Sequence, residues 1–107
     1  MGTGVLGGFE HQVLLAMLRL GGETYTAAIV LEIERRTDRE VAAASVFVAL
    51  RRLERRGLLT SRTGSAPPGG GRPRRMFQLQ PAAIAELRES KRTLAALWSG
   101  LEVLDRP

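Results

Sequence analysis

One segment constrains the fold of this chain more than any other: residues 41–59, with the sequence VAAASVFVALRRLERRGLL. At about 100° per residue, a helix places four apolar side chains on one stripe, and these are Val46, Ala49, Leu50 and Leu53. The side chains on the remaining faces are Ala44, Ser45, Phe47, Val48, Arg51, Arg52 and Arg55. Gly57 is expected to end the helix, because glycine tolerates positive φ, and Leu58–Leu59 to begin an extended segment. A buried seam behind a cationic outer face is typical of a helix that is held rigidly while it lies in a DNA groove.

The basic residues of the chain are concentrated in one region. Residues 35–75 contain eleven arginines against three acidic residues, a net charge of +8, whereas the rest of the chain carries −3. A positive field in one half of a small domain favours a polyanionic partner such as double-stranded DNA. The alternative is that these arginines only solvate exposed faces.

Composition excludes several classes of function. The chain has 107 residues, no cysteine and a single histidine, so it offers no disulfide, no thiolate metal site and no spare histidine for a catalytic triad. We therefore predict no catalytic site, no metal and no cofactor, and we interpret Glu32, Glu34 and Glu40 as solvated carboxylates. No apolar run is long enough to span a membrane and no basic N-terminal segment resembles a secretory signal, so a cytoplasmic protein is expected.

Two further helices are predicted before the arginine-rich one. Apolar residues recur at spacings of three and four through residues 5–20, which indicates an amphipathic helix ended by Gly21–Gly22. A second helix is predicted from Thr26 to Arg36. The short connection Thr37–Glu40 then forces the second and third helices to cross steeply, as in a helix-turn-helix.

A β-hairpin is predicted after Gly57. Residues 58–63 and 75–79 are compatible with strands, and the segment between them is too rich in glycine and proline to pack. We expect a two-stranded wing with a flexible basic loop that carries Arg72, Arg74 and Arg75. The glycines do not indicate a nucleotide-binding loop, because no Gly-Lys-Ser/Thr follows and the next element is a strand.

The last part of the chain is predicted to be one helix that associates with a second copy of the chain. Pro81 suits its first turn, and leucines repeat at heptad spacing. The residues assigned to a homodimer interface are Leu87, Leu94, Leu97, Leu101 and Leu104. The alternative is that this seam folds back on its own domain. Gly100 is a point at which the helix is expected to weaken. The predicted division is 1–80 for DNA binding and 81–107 for dimerisation.

The order of these elements resembles the PadR family of bacterial winged-helix transcriptional regulators. The segment from Val46 to Leu58 is similar to the family's recognition helix, Glu23-Thr-Tyr25 to the start of its second helix, and Arg74–Leu79 to its returning wing strand. The resemblance implies a mainly α, winged-helix fold and a homodimeric repressor of an inverted-repeat operator. It also implies a small aromatic effector in some members, and Trp98 at the edge of the predicted seam is the candidate contact.

Three positions depart from the family pattern, and each loses a hydroxyl group. Ala42 stands where a serine usually caps the third helix, Phe47 where a tyrosine is usual, and Phe77-Gln78-Leu79-Gln80 replaces Tyr-x-Leu-Thr. These changes leave an alternative open, a winged-helix interaction module that meets an acidic protein without binding DNA. The residues assigned to DNA binding are Ser45, Phe47, Val48, Arg51, Arg52, Arg55, Arg72, Arg74 and Arg75.

Overall fold

A computed structural model describes residues 6–105 of the chain. Its elements, in order, are α1 (Gly8–Arg19), β1 (Glu23–Thr24), α2 (Thr26–Thr37), α3 (Ala43–Arg55), β2 (Leu59–Thr63), β3 (Arg75–Leu79), α4 (Pro81–Trp98) and a short 3-10 helix (Glu102–Asp105). Residues 1–5 and 106–107 lie outside the described residues. The predicted first helix starts at residue 5, and the predicted domains 1–80 and 81–107 include the rest of them. Within residues 6–105, no helix combines the length and the apolar composition that a membrane crossing requires.

The first three helices enclose the core. Val13, Leu14 and Met17 of α1 and Ile29 of α2 are completely buried. The predicted apolar stripe of α3 is also buried, with Val46, Ala49, Leu50 and Leu53 all at or below 4% exposure. These helices lie where the 3.6-residue period placed them, because burying one apolar face of each is the main favourable term available to a domain of this size.

The boundaries of the helix-turn-helix differ slightly from the prediction. α2 runs one residue further, to Thr37, and α3 begins at Ala43 rather than Val41. Asp38 closes α2 in the left-handed conformation with φ of 55°. Glu34 then accepts a hydrogen bond of 2.8 Å from the backbone N–H of Val41, so the chain stays extended before α3 starts.

The predicted hairpin of β2 and β3 is confirmed, and β1 extends it to a three-stranded antiparallel sheet. The strand order is β1-β3-β2. Phe77 of the central strand β3 is paired with Ser61 of β2 along one edge and with Thr24 of β1 along the other. Phe77 is fully buried and lies on the face of the sheet that covers the core. The two-residue strand β1 escaped prediction because it is too short to show a period of two.

A glycine-dependent helix end orients the wing relative to α3. Gly57 has φ of 78°, and its N–H donates to the carbonyl of Glu54 while the N–H of Leu58 donates to the carbonyl of Leu53, at 2.9 and 3.0 Å. This Schellman arrangement satisfies carbonyls that the helix end would leave unpaired, and it buries Leu58 beside Leu53. The prediction that Gly57 ends the helix is confirmed.

The last helix divides into an inner and an outer half. Ala83 and Leu87 are buried in the core, whereas every residue from Lys91 to Asp105 is exposed. The prediction for Leu87 was wrong, because its side chain is 5% exposed within its own protomer and is not available to a partner. α4 also ends at Trp98, before Gly100 with φ of 88°, so Leu101 and Leu104 do not continue the same helix.

Glu32 is a buried carboxylate, although the sequence analysis treated it as solvated. Its exposure is 3%, and it lies in the groove between α1 and α2. Arg35 and Arg36 both donate hydrogen bonds to it, the latter from Nε to Oε2 at 2.9 Å. The bond from Arg36 is the main cause that lowers the pKa of Glu32, and it outweighs burial, which raises that pKa. The two arginines therefore compensate an ion that would otherwise be costly inside the fold.

Candidate nucleic-acid interface

The outer face of α3 is exposed along its length. Phe47 is 40% and Val48 49% exposed, and Ser45 at the first turn is exposed as well. The three arginines of the last two turns, Arg51, Arg52 and Arg55, also face away from the buried stripe. The guanidinium groups of Arg52 and Arg55 have no hydrogen bond or ion pair within residues 6–105. Two guanidinium groups on this helix thus retain their full capacity to bind an anion.

Aromatic contacts join this helix face to the sheet. The ring of Phe47 meets that of Phe77 edge to face, with centroids 6.2 Å apart and an interplanar angle of 77°. The guanidinium carbon of Arg51 lies 6.0 Å from the centroid of the Phe47 ring. Phe47 is therefore a packing residue at the junction of α3 and β3 that also keeps an accessible edge.

A series of polar contacts connects α3 to the wing. Arg51 Nη1 lies 3.3 Å from Glu54 Oε1, and Ser61 Oγ donates a 2.6 Å hydrogen bond to Glu54 Oε2. Arg75 Nη1 in turn donates to Ser61 Oγ at 3.0 Å. We call these four side chains the helix–wing relay. The relay places the guanidinium groups of Arg51 and Arg75 on one continuous surface.

The three wing arginines have different surroundings. Arg75 belongs to the helix–wing relay. The guanidinium of Arg74 stacks over the ring of Tyr25, 4.1 Å from its centroid, on the other face of the sheet. Arg72 lies exposed in the loop and has no partner within the described residues. The structure thus brings Arg75 beside α3, leaves Arg72 without a partner in the described part of the wing loop, and stacks Arg74, at the loop end of β3, on Tyr25.

Much of the positive charge seen in the sequence is locally compensated. Arg62 pairs with Glu23 at 3.0 Å and Arg56 with Glu86 at 2.7 Å, in addition to the two arginines on Glu32. Between residues 35 and 75, the arginines without any partner in the described structure are Arg39, Arg52, Arg55 and Arg72. Since Arg74 and Arg75 contact only Tyr25 and Ser61, which carry no charge, the uncompensated positive charge lies on the α2–α3 turn, α3 and the wing.

The start of α3 has no side-chain cap. Its N-cap residue is Ala42, which confirms the expected loss of a capping hydroxyl. The first backbone N–H groups, which have no intrahelical acceptor in any helix, therefore also lack a capping side chain here, and this end of α3 is electrostatically positive. Ser45 lies within this first turn.

An apolar surface covers the outer half of α4 and the residues that follow it. Leu94 and Trp98 are 50% and 45% exposed, and Leu97 is 69% exposed. Leu101 and Leu104 add 47% and 69% exposed side chains beyond the helix end. We call these five residues the α4 apolar surface. An apolar patch of this extent is typical of a protein–protein contact in small domains.

Sequence reasoning missed Tyr25, Glu54 and Ser61 as parts of this region. Their contacts depend on how the elements pack: Ser61 meets Glu54 across the turn at Gly57 and meets Arg75 across the β2–β3 pair, and Tyr25 meets Arg74. No motif in the sequence signals these pairs. Within the described part of the chain, no three histidine, aspartate or glutamate side chains are grouped to hold a metal ion.

Comparison with solved structures places this architecture among known regulators. The chain is similar to a PadR family transcriptional regulator from Eggerthella lenta DSM 2243, with 27% identity, 88% of this chain and 83% of that chain covered, and a TM-score of 0.66. It is also similar to a winged-helix DNA-binding protein from STIV, with 15% identity, 78% and 84% covered, and a TM-score of 0.62. A third similar structure is that of BpsR from Bordetella bronchiseptica, whose DNA binding is regulated by 6-hydroxynicotinic acid, with 20% identity, 95% and 69% covered, and a TM-score of 0.65.

Sequence comparison gives the family. No curated protein sequence matches the chain. The family model of the PadR-like transcriptional regulators matches residues 14–89, which include α1 from Leu14, the whole of α2 and α3, the wing and the inner half of α4. The chain belongs to the PadR-like family of transcriptional regulators, and its fold is that of a winged-helix DNA-binding regulator.

Proposed function

We propose that the protein is a sequence-specific transcriptional repressor that binds an inverted-repeat operator as a homodimer. The observation that carries this proposal is the helix–wing relay, which holds arginines of α3 and of the wing on one surface beside the unpaired Arg52 and Arg55. A surface of this kind meets a polyanion with several guanidinium groups at once.

In the proposed complex, α3 enters the major groove. Ser45 near its start donates or accepts a hydrogen bond at a base edge, and Val48 meets a thymine methyl group. Arg51 and Arg55 bind guanine edges or phosphates, and Arg52 binds phosphates from the flank. Arg72 and Arg75 bind the backbone from the wing, while Arg74 holds the wing in place on Tyr25.

The homodimer is supported by the α4 apolar surface. Its leucines are 47–69% exposed in the protomer, and a two-fold contact would cover them in both copies. A two-fold dimer presents its two recognition helices about one turn of duplex apart, roughly 34 Å, which requires an inverted repeat in the operator.

Salt dependence tests the proposal. The probe is the selected duplex, which the wild-type protein enriches from a randomised pool. Between about 50 and 300 mM salt, fluorescence anisotropy should show its affinity falling at least a thousandfold, because each phosphate contact adds about −0.9 to the log–log slope. Arg72→Gln should make the slope shallower by about 2 per dimer. Arg74→Gln, the matched control within the wing, should change it by less than half as much.

Two results would contradict this proposal. An affinity that hardly varies with salt would remove the phosphate contacts. Failure to bind any duplex would favour the alternative, a winged-helix module for an acidic protein partner, which the absent hydroxyls at Ala42 and Phe47 support.

The proposal includes an aromatic effector that releases the operator, bound at Trp98. This side chain is 45% exposed at the end of α4, within the α4 apolar surface, and an indole face stacks well on planar molecules. Because Trp98 is the one tryptophan of the chain, planar aromatic acids and cations should quench the protein fluorescence and weaken binding to the selected duplex in parallel. Fluorescence unchanged by every compound would assign Trp98 to packing alone.

A further inference from the structure

Glu54 lies where a carboxylate should disfavour DNA binding. It is on α3 between Arg51 and Arg55, 27% exposed, on the surface that we assign to the duplex. A free carboxylate there would repel phosphates, yet both of its oxygens are engaged, Oε1 by Arg51 and Oε2 by Ser61. Its position therefore indicates a role in ordering the surface rather than in contacting DNA.

We propose that Glu54 is a positioning residue that fixes the wing against α3 and thereby sets the sequence selectivity of the protein. This inference rests on the proposed function and deepens it. Through Ser61, one carboxylate determines where the guanidinium of Arg75 lies, and directly it determines where that of Arg51 lies. Glu54 thus fixes the position of a groove-facing arginine on α3 relative to a backbone-binding arginine on the wing.

The place of Ser61 in the wing explains why this contact matters. Leu59 is anchored in the core, but from Thr60 the strand carries mainly exposed residues, and Arg62 and Thr63 are fully on the surface. The hydrogen bond from Ser61 to Glu54 ties the strand to α3 beyond this last core residue. It is a bond to a charged acceptor, which is about twice as strong as one between neutral groups. Without it, the outer part of β2 retains its pairing with β3 and the packing of Phe77 on Phe47, but it loses its polar contact with α3.

A purely electrostatic role for Glu54 and a positioning role predict different effects of removing its charge. Removing a negative charge from a DNA-binding surface raises affinity for every duplex, because the field of the surface becomes more positive. The positioning role predicts that affinity for the selected duplex falls relative to a duplex in which the selected positions are scrambled. We define the selectivity ratio as the dissociation constant for the scrambled duplex divided by that for the selected duplex. A fall in this ratio indicates the positioning role, and an unchanged ratio indicates the electrostatic role.

The experiment measures this ratio for variants of the full chain. Glu54→Gln and Ser61→Ala should each lower it about tenfold, the effect of one charge-assisted hydrogen bond. Ser61→Thr keeps the hydroxyl and suits a strand, so it should preserve the ratio. Glu40→Gln, the matched control, removes the same charge from the exposed α2–α3 connection and should also preserve it. The double variant Glu54→Gln with Ser61→Ala should lose no more than Glu54→Gln alone, since both break one relay.

Each other outcome overturns the inference. If Glu54→Gln raises both affinities and keeps the ratio, Glu54 acts only through its charge. If the two single losses add in the double variant, Glu54 and Ser61 do not act as a unit. If the wild-type protein enriches no duplex from the pool, the proposed function itself fails and the inference fails with it. If the wild-type protein is selective and Glu54→Gln leaves the selectivity ratio unchanged, the inference about Glu54 fails while the proposed function stands.

Discussion

Replacing Arg51 and Arg55 together by glutamine is expected to weaken binding to the selected duplex by a hundredfold or more. Both side chains are exposed on the outer face of α3, one turn apart, so both reach the same groove. A guanidinium contact to a base edge or phosphate is worth about 1–3 kcal/mol, and each variant dimer loses four. Fluorescence anisotropy at fixed salt measures the change.

The control for this pair removes the same charge elsewhere. Arg19 at the end of α1 and Arg88 on α4 are exposed and have no ion pair within the described residues. Arg19→Gln with Arg88→Gln should lower affinity by less than about tenfold, because only the long-range field changes and salt screens it. Equal losses for the two pairs would mean that net charge, and not the surface of α3, determines binding.

The second large effect concerns assembly. Leu97→Glu is expected to convert a dimer into a monomer, with the self-association constant reduced on the order of a thousandfold. By two-fold symmetry, the variant places two unpaired carboxylates in an apolar contact, and each costs several kcal/mol. Light scattering should give twice the chain mass of 11.7 kDa for the wild type and the single mass for the variant. Operator affinity should fall in step, because a monomer engages one half-site.

Leu31→Glu is the matched control for assembly. Leu31 on α2 is 66% exposed, close to the 69% of Leu97, but it lies outside the α4 apolar surface. We expect this variant to remain dimeric. A monomeric wild type, or a Leu97→Glu protein that still has twice the chain mass, would remove the α4 apolar surface from the proposal.

The periodicity of apolar residues predicted the helices of the core well, because the spacing of these residues along a helix determines which face is buried. The stripe from Val46 to Leu53 and the end of α3 at Gly57 follow directly from apolar spacing and from the conformational freedom of glycine. The same reasoning failed at Leu87. Heptad spacing groups Leu87 with Leu94, but spacing does not reveal where the core of a protomer ends, and α4 passes that limit between the two residues.

The interface was less predictable than the helices, because the partners of a charged side chain depend on which elements pack together in the folded chain. Exposed arginines were identified correctly on α3, but the stacking of Arg74 on Tyr25 and the hydrogen bond from Ser61 to Glu54 were not predicted. These contacts join different elements and depend on how the sheet pairs and packs against α3. The same holds for β1, whose two residues acquire strand structure only by pairing with β3.

An NMR titration that follows the arginine side-chain Nε–H signals as the selected duplex is added tests whether α3 and the wing form one DNA-binding surface. We predict that the signals of Arg51, Arg52, Arg55, Arg72 and Arg75 shift together at one stoichiometric point. Those of Arg35, Arg36 and Arg88 should stay in place. Shifts confined to α2 and α4, or to α3 without the wing, would contradict the account.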